Sequence, residues 1–148
     1  MKQFEIHQIT HLPPKILALE KESVEEGFRF ITRLIDEWHS GTNRFDAPGE
    51  CLMVACLNQQ LIGVGGLSID PYAEANTARL RRLYVAASSR GQHVGQALVK
   101  ALLTYAALGF RSVHLSTDTP AGDSFYLHCG FIRTDIPHAT HVMQLGNS

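Results

Sequence analysis

The sequence predicts a mixed α/β domain: a central, bulged, mixed sheet of about six to seven strands flanked by four helices. Three observations predict it. Stretches of strand character alternate with helical periodicity along nearly the whole chain. Leu80–Leu102, LRRLYVAASSRGQHVGQALVKAL, runs from a buried strand through a glycine-bearing loop into a long helix. Within that strand Leu80 alternates with Arg82 and Tyr84, whereas Leu83 and Val85 fall on the opposite parity. One extra residue, a β-bulge near Arg82 or Leu83, returns all three apolar side chains to one face and bends the strand there.

The elements follow in order. Phe4–Ile9 alternates apolar and polar residues as a first strand. Pro13 and Pro14 suit the mouth of a helix reaching about Lys21, and Phe28, Ile31, Leu34, Ile35 and Trp38 mark a second, stopped by Ser40–Asn43. Cys51–Leu57 and Leu61–Ile69 are nearly continuous apolar runs around Asn58–Gln60, a hairpin buried on both faces. Gly63, Gly65 and Gly66 inside it imply close packing or strand curvature, because no helix follows them. After the loop Asp70–Asn76 and the bulged strand, Val94, Leu98, Ala101, Leu102, Tyr105 and Leu108 form one helical stripe, closed by Gly109. Val113–Thr117 is a strand, Ala121–Cys129 a helix ended by Gly130, and Phe131–Thr134 and Thr140–Leu145 the last two strands. No repeat or linker divides the chain, so residues 1–148 read as one domain.

Composition narrows the function classes. The 148 residues are 45% hydrophobic and 18% charged, a globular balance. A formal net charge of -1 gives no global attraction to nucleic acid or anionic membrane, and the RLRR cluster at Arg79–Arg82 is short and lies in a core strand. No apolar run reaches the roughly 18–20 residues of a spanning helix, and Met1–Thr10 lacks signal-peptide design, so a cytoplasmic protein is expected. Cys51, Cys56 and Cys129 lack CxxC spacing and read as reduced thiols. The eight histidines form no HxxxH or HExxH pair on one predicted helix, so no metal is expected. Edge strands near the C-terminus would allow a homodimer.

The chemistry concentrates at the helix start after Arg90, where backbone N–H groups lack partners and the peptide dipoles place positive charge. Phosphate binds well at such a place. A dinucleotide-binding module would need GxGxxG after the first strand and an acidic residue about twenty positions on, and has neither.

On these residues the chain resembles the GNAT superfamily of acetyl-coenzyme-A-dependent N-acyltransferases, over nearly all its length. The family's pyrophosphate motif, Arg or Gln, two residues, Gly, one residue, Gly or Ala, matches Arg90, His93 and Gly95 of RGQHVG, preceded by Leu83–Val85. His93 stands where the first glycine would, and a right-handed helical backbone suits it. FYLHCGF, Phe125–Phe131, is similar to the family's helix-to-strand segment.

The resemblance implies a GNAT-like sheet and acetyl-CoA as co-substrate, with no metal. It implies that the backbone of Leu83, Tyr84 and Val85 polarises the thioester carbonyl, and that Arg90 and the N–H groups of Gly91, Gln92, His93, Val94, Gly95 and Gln96 bind pyrophosphate. Thr119 stands where relatives often have a cofactor-contacting asparagine, and Tyr126 where many place the tyrosine that protonates the departing thiolate. Where many relatives carry a glutamate base on the bulged strand, this chain has Arg79, Arg81 and Arg82. Glu74, Asp70, His114 and Glu50 are candidate bases by type, with water as the alternative.

The acceptor, a small-molecule or peptide amine, is expected between the second helix, Phe45–Gly49 and the hairpin. Phe28, Arg29 and Glu74 are its candidate contacts, with Arg33, Arg44, Phe45, Arg79 and Arg81 near. Arginines there would suit an acceptor bearing a carboxylate or phosphate, or simply form a solvated face. The expected activity is direct transfer of acetyl from acetyl-CoA to a primary amine. The rival is a non-catalytic acyl-CoA sensor, motivated by His93, Thr119 and the absent glutamate.

Overall fold

The computed structural model describes residues 3–146; the expected domain of 1–148 extends at both ends beyond the described residues. Seven strands form one sheet in the order β1-β2-β3-β4-β5-β7-β6. They are β1 (Glu5–Ile9), β2 (Cys51–Leu57), β3 (Gln60–Ile69), β4 (Thr77–Val85), β5 (Ser112–Leu115), β6 (Ile132–Arg133) and β7 (His141–Gln144). The helices are α1 (Ile16–Glu25), α2 (Phe30–Ser40), α3 (Val94–Ala106) and α4 (Pro120–His128). Among the described residues, only β4 and β5 pair in parallel.

Chain chemistry sets several boundaries. Asn58 and Gln59 both take positive φ, 51° and 67°, the pairing a two-residue turn needs to match strand twist. Gly41 closes α2 at φ 81°. Thr119 caps α4 by accepting the N–H of Gly122 at 3.0 Å, with Pro120 in the first turn.

Two expectations about α3 are corrected. The helix ends at Ala106, and Gly109 is not its left-handed cap: overlapping turns carry the chain onward, with Phe110 N–H donating to Ala106 O at 2.8 Å. Leu108, expected on the buried stripe, is 82% exposed, because that turn delivers Phe110 rather than Leu108 toward the core, against Gly49.

The two sheet faces carry different layers. A Cβ on Gly63 or Gly65 would meet Leu98 or Leu102 of α3 at 3.0 Å, whereas one on Gly66 would meet the Phe45 ring at 2.5 Å on the opposite face. Close approach of a helix on one side and an aromatic ring on the other explains the three glycines. On the Phe45 side, Tyr84 reaches Glu22 of α1 and Glu26 just past its end, and Arg82 reaches Glu37 of α2.

The expected bulge lies in β4. Val64 pairs with Tyr84 and Gly66 with Arg81, so two steps on β3 span three on β4. Arg82 supplies the extra residue at φ 61°. By this register Leu80, Leu83 and Val85 share the α3 face, while Arg79, Arg81 and Tyr84 share the other.

The far end of the sheet is tied by charge. Asp123 of α4 accepts two hydrogen bonds from Arg133 of β6, at 2.9 and 2.6 Å, and lies 2.8 Å from Nε2 of buried His141. Arg133, then His141, hold its carboxyl down to about 2.

Gly66→Ala should lower stability by about 1–3 kcal/mol, since the Phe45 ring must move, whereas Gly109→Ala, with nothing within 4 Å, should be neutral in urea unfolding. Because the Asp123 carboxyl titrates lower folded than unfolded, its stabilisation is present above about pH 4 and is lost as pH falls toward 2. Acid unfolding of Asp123→Asn should therefore show a shallower loss over that range than the parent; parallel curves would refute the assignment.

Candidate active site

The site grows from the parting of two strands. β5 pairs with β4 only through Thr77–Arg79, so from Leu80 onward that edge of β4 has no ladder partner. The bulge at Arg82 falls within this free edge. Leu83, Tyr84 and Val85 therefore offer backbone groups to a gap between diverging strands.

Immediately beyond, the chain turns through Ala87–Ser89 into α3. Gly91 and His93 take φ of 78° and 67° with Gln92 between them, an alternation that points successive N–H groups into one concavity. Among the described residues, no hydrogen bond within the chain takes the N–H of Gly91, Gln92, His93, Val94, Gly95 or Gln96. Six donors at a helix start make a cradle for an anion such as a diphosphate. No metal-binding group of three or more His, Cys, Asp or Glu occurs among the described residues.

His93 corrects one expectation, for its backbone is left-handed, not helical. The loop needs at this position the geometry glycine adopts freely, and histidine tolerates it at a cost of about 1–2 kcal/mol. Its ring turns outward, with Nδ1 3.0 Å from Gln96 Oε1.

A cavity of about 380 Å³ joins gap and cradle. Its walls include Leu83, Tyr84, Val85, Arg90, Gly91, His93, Val94, Gly95 and Gln96, joined by Ser89 and Phe125. Gln92 and Thr119 are not on its walls; Thr119 is at the α4 cap. Phe125 enters because its ring packs where a Cβ on Gly95 would stand, 3.1 Å away. A second hollow of about 500 Å³ lies between α3 and α4 and shares Gln96.

Arg90 lies in the cavity wall with its charge already matched. Its Nη1 and Nη2 donate to Glu26 at 2.8 and 2.6 Å, and its Nε donates to Val85 O at 3.0 Å. The Tyr84 hydroxyl donates to Glu26 at 2.6 Å and lies 2.9 Å from Glu22, which also accepts the N–H of Ala87. The Arg90 and Tyr84 contacts hold the Glu26 carboxyl below its usual range, while burial and the two glutamates push the Tyr84 phenol far up. This latch joins α1 to the cradle. Sequence reasoning missed it, because Glu26 lies one residue past α1 and its partner is 64 positions away.

Tyr126 packs edge-on to Phe125 and Phe131, with centroids 5.0 and 5.7 Å away. Burial pushes its phenol well above the usual range, which keeps the proton on oxygen, and its hydroxyl has no hydrogen-bond partner among the described residues. It does not line the cavity; its neighbour Phe125 does.

The acidic candidates separate clearly. Glu50 accepts the N–H groups of Ala47 and Ile69, and Glu74 is an exposed loop residue. Asp70 is buried, its Oδ2 3.4 Å from both Arg79 Nη1 and His114 Nδ1, where β4 and β5 separate. Phe28 packs against Phe30 at 5.5 Å, and Arg29, Arg33 and Arg44 are exposed.

The model of the acetyltransferase (GNAT) family matches residues 14–131. Among solved structures, a candidate acetyltransferase from an Exiguobacterium species is 25% identical with a TM-score of 0.87, covering 96% of this chain and 93% of its own. The GNAT family N-acetyltransferase YhbS of Escherichia coli, in complex with CoA, is 17% identical with a TM-score of 0.71, covering 99% and 83%. An acetyltransferase of Streptococcus agalactiae is 18% identical with a TM-score of 0.73, covering 94% and 95%. No curated protein matches the chain in sequence.

His93→Gly should stabilise the fold by roughly 0.5–1 kcal/mol, the left-handed penalty less the entropy of a freer unfolded chain. Chemical denaturation reads this directly; a destabilised variant would show that the outward imidazole, not the backbone, governs the position.

Proposed function

The chain belongs to the GNAT acetyltransferase family, and from that premise we propose that it transfers the acetyl group of acetyl-CoA directly to a primary amine. One observation carries the reading: of the six residues with unpartnered N–H groups at the α3 start, five line the same cavity as the free edge of bulged β4. The donors fit a diphosphate, and the gap fits the extended arm that joins it to a thioester. No helix among the described residues is long and apolar enough to cross a membrane.

The residues divide the work. The N–H groups of Gly91–Gln96 hold the diphosphate, and the backbone of Leu83–Val85 holds the arm and polarises the carbonyl, a type of donor worth about 3 kcal/mol or more when preorganised. The amine nitrogen attacks the carbonyl carbon, the C–S bond breaks, and the thiolate takes a proton; we assign that donor role to the Tyr126 hydroxyl, one residue past Phe125 of the cavity wall, which regains a proton from solvent. The ammonium that forms gives its surplus proton to water. Juxtaposing the two reactants supplies much of the rate.

Purified protein should bind coenzyme A in calorimetry and release free thiol from acetyl-CoA with at least one amine of a broad panel. Tyr126→Phe should cut kcat by about 10²-fold while coenzyme A binding holds. Binding without turnover for every amine class would favour the sensor, and no binding at all would sink both readings.

A further inference from the structure

On the sheet face opposite α3, β4 presents Arg79, Arg81 and Arg82 side by side, and two of them are anchored. Arg79 donates to Ser116 Oγ at 2.9 Å and lies 3.4 Å from Asp70. Arg82 donates to Glu37 at 2.9 Å. Arg81 has no hydrogen bond and no ion pair among the described residues, although it is half-buried. Three cations thus stand against two carboxylates, and one charge is left over.

A second donor nearby is also unmet. The Arg82 side chain is only 8% exposed, yet its Nε has no acceptor. Burial, together with Arg82 and Arg79, works against the charge on Arg81, and Glu37 offsets this only in part. An anionic oxygen group seated against the half-buried Arg81 guanidinium would match the leftover charge in the planar geometry that guanidinium favours.

The place matters as much as the charge. Arg81 precedes Leu83 by two residues, about 7 Å along the strand, and faces away from the helix that carries the diphosphate cradle. An acceptor whose amine meets the thioester at Leu83–Val85 has this spot within a few bonds. Arg29, Arg33 and Arg44 offer no equivalent: they are exposed, and Arg44 Nε is spent on Trp38 O.

The geometry points to an acceptor that is an amine carrying a carboxylate or phosphate, held by Arg81. This rests on the acetyl-transfer reading. The test is kcat/KM on matched acceptors: glycine against glycinamide, 4-aminobutyrate against butylamine, and phosphoethanolamine against ethanolamine. The first two pairs report a carboxylate and the third a phosphate.

The charged member of at least one pair should be favoured by roughly tenfold or more. Arg81→Gln should bring that ratio near one through a higher KM, and Arg81→Lys should keep part of it. Neutral members favoured throughout, or a ratio that survives Arg81→Gln, overturn the proposal. Where no acceptor turns over, titration with acetate and inorganic phosphate followed by NMR decides it: binding lost in Arg81→Gln supports the subsite, and no Arg81-dependent binding overturns it. Failure to bind coenzyme A would strike the acetyl-transfer reading alone.

Discussion

Arg82, held at φ 61°, puts one extra residue into β4, and that insertion reverses the facing of every later side chain on the strand. Leu83 and Val85 turn to the α3 layer to join Leu80, while Tyr84 turns toward α1. Without the insertion, two apolar side chains would lie among the arginines and the phenol would lie in the α3 interface. The parting of β4 from β5 after Arg79 completes the arrangement, because it leaves the kinked stretch unpaired on one edge. Sheet irregularity and strand divergence together place backbone polar groups beside a cavity, where a regular ladder would have used them up.

The cradle beyond β4 presents backbone donors with little free side-chain charge beside them. Arg90 is neutralised by Glu26, whose carboxyl the two hydrogen bonds from Arg90 hold below its usual range. What remains for a diphosphate is the set of unpaired amides with the dipole of α3 behind them. Such donors are fixed by the fold and need no rotamer ordering on binding. The latch through Glu22, Glu26, Tyr84 and Arg90 explains how the loop keeps its shape, since it ties the loop to a helix on the opposite side of the sheet.

What could be read from the sequence depended on the range of the interaction. The parity slip of Leu80, Leu83 and Val85 is a local count, and it located the bulge to within a residue. The same holds for the hairpin, the Ser40–Asn43 stop and the motif around Gly95. The Arg90 to Glu26 pair joins residues 64 positions apart, and nothing in either neighbourhood encodes its register. Gly109 misled because a glycine after an apolar stripe resembles a helix cap, whereas here the chain must first bring Phe110 against Gly49. His93 misled because residue type was allowed to choose its backbone, while the loop imposed a glycine's conformation upon it.

The two sides of β4 have been put to opposite uses. Toward α3 the strand contributes Leu83 and Val85 to a wall whose polar groups are mostly backbone, and backbone cannot be changed without changing the fold. Toward α1 and α2 it contributes arginines whose partners, Glu37 of α2 and Asp70 at the end of β3, sit on other elements. Substituting one of these side chains changes the charge count of that face while the bulge, the register and the cradle remain in place. In the proposed reading the α3 side holds the co-substrate, and Arg81, half-buried and unmatched, lies on the side that would select the acceptor.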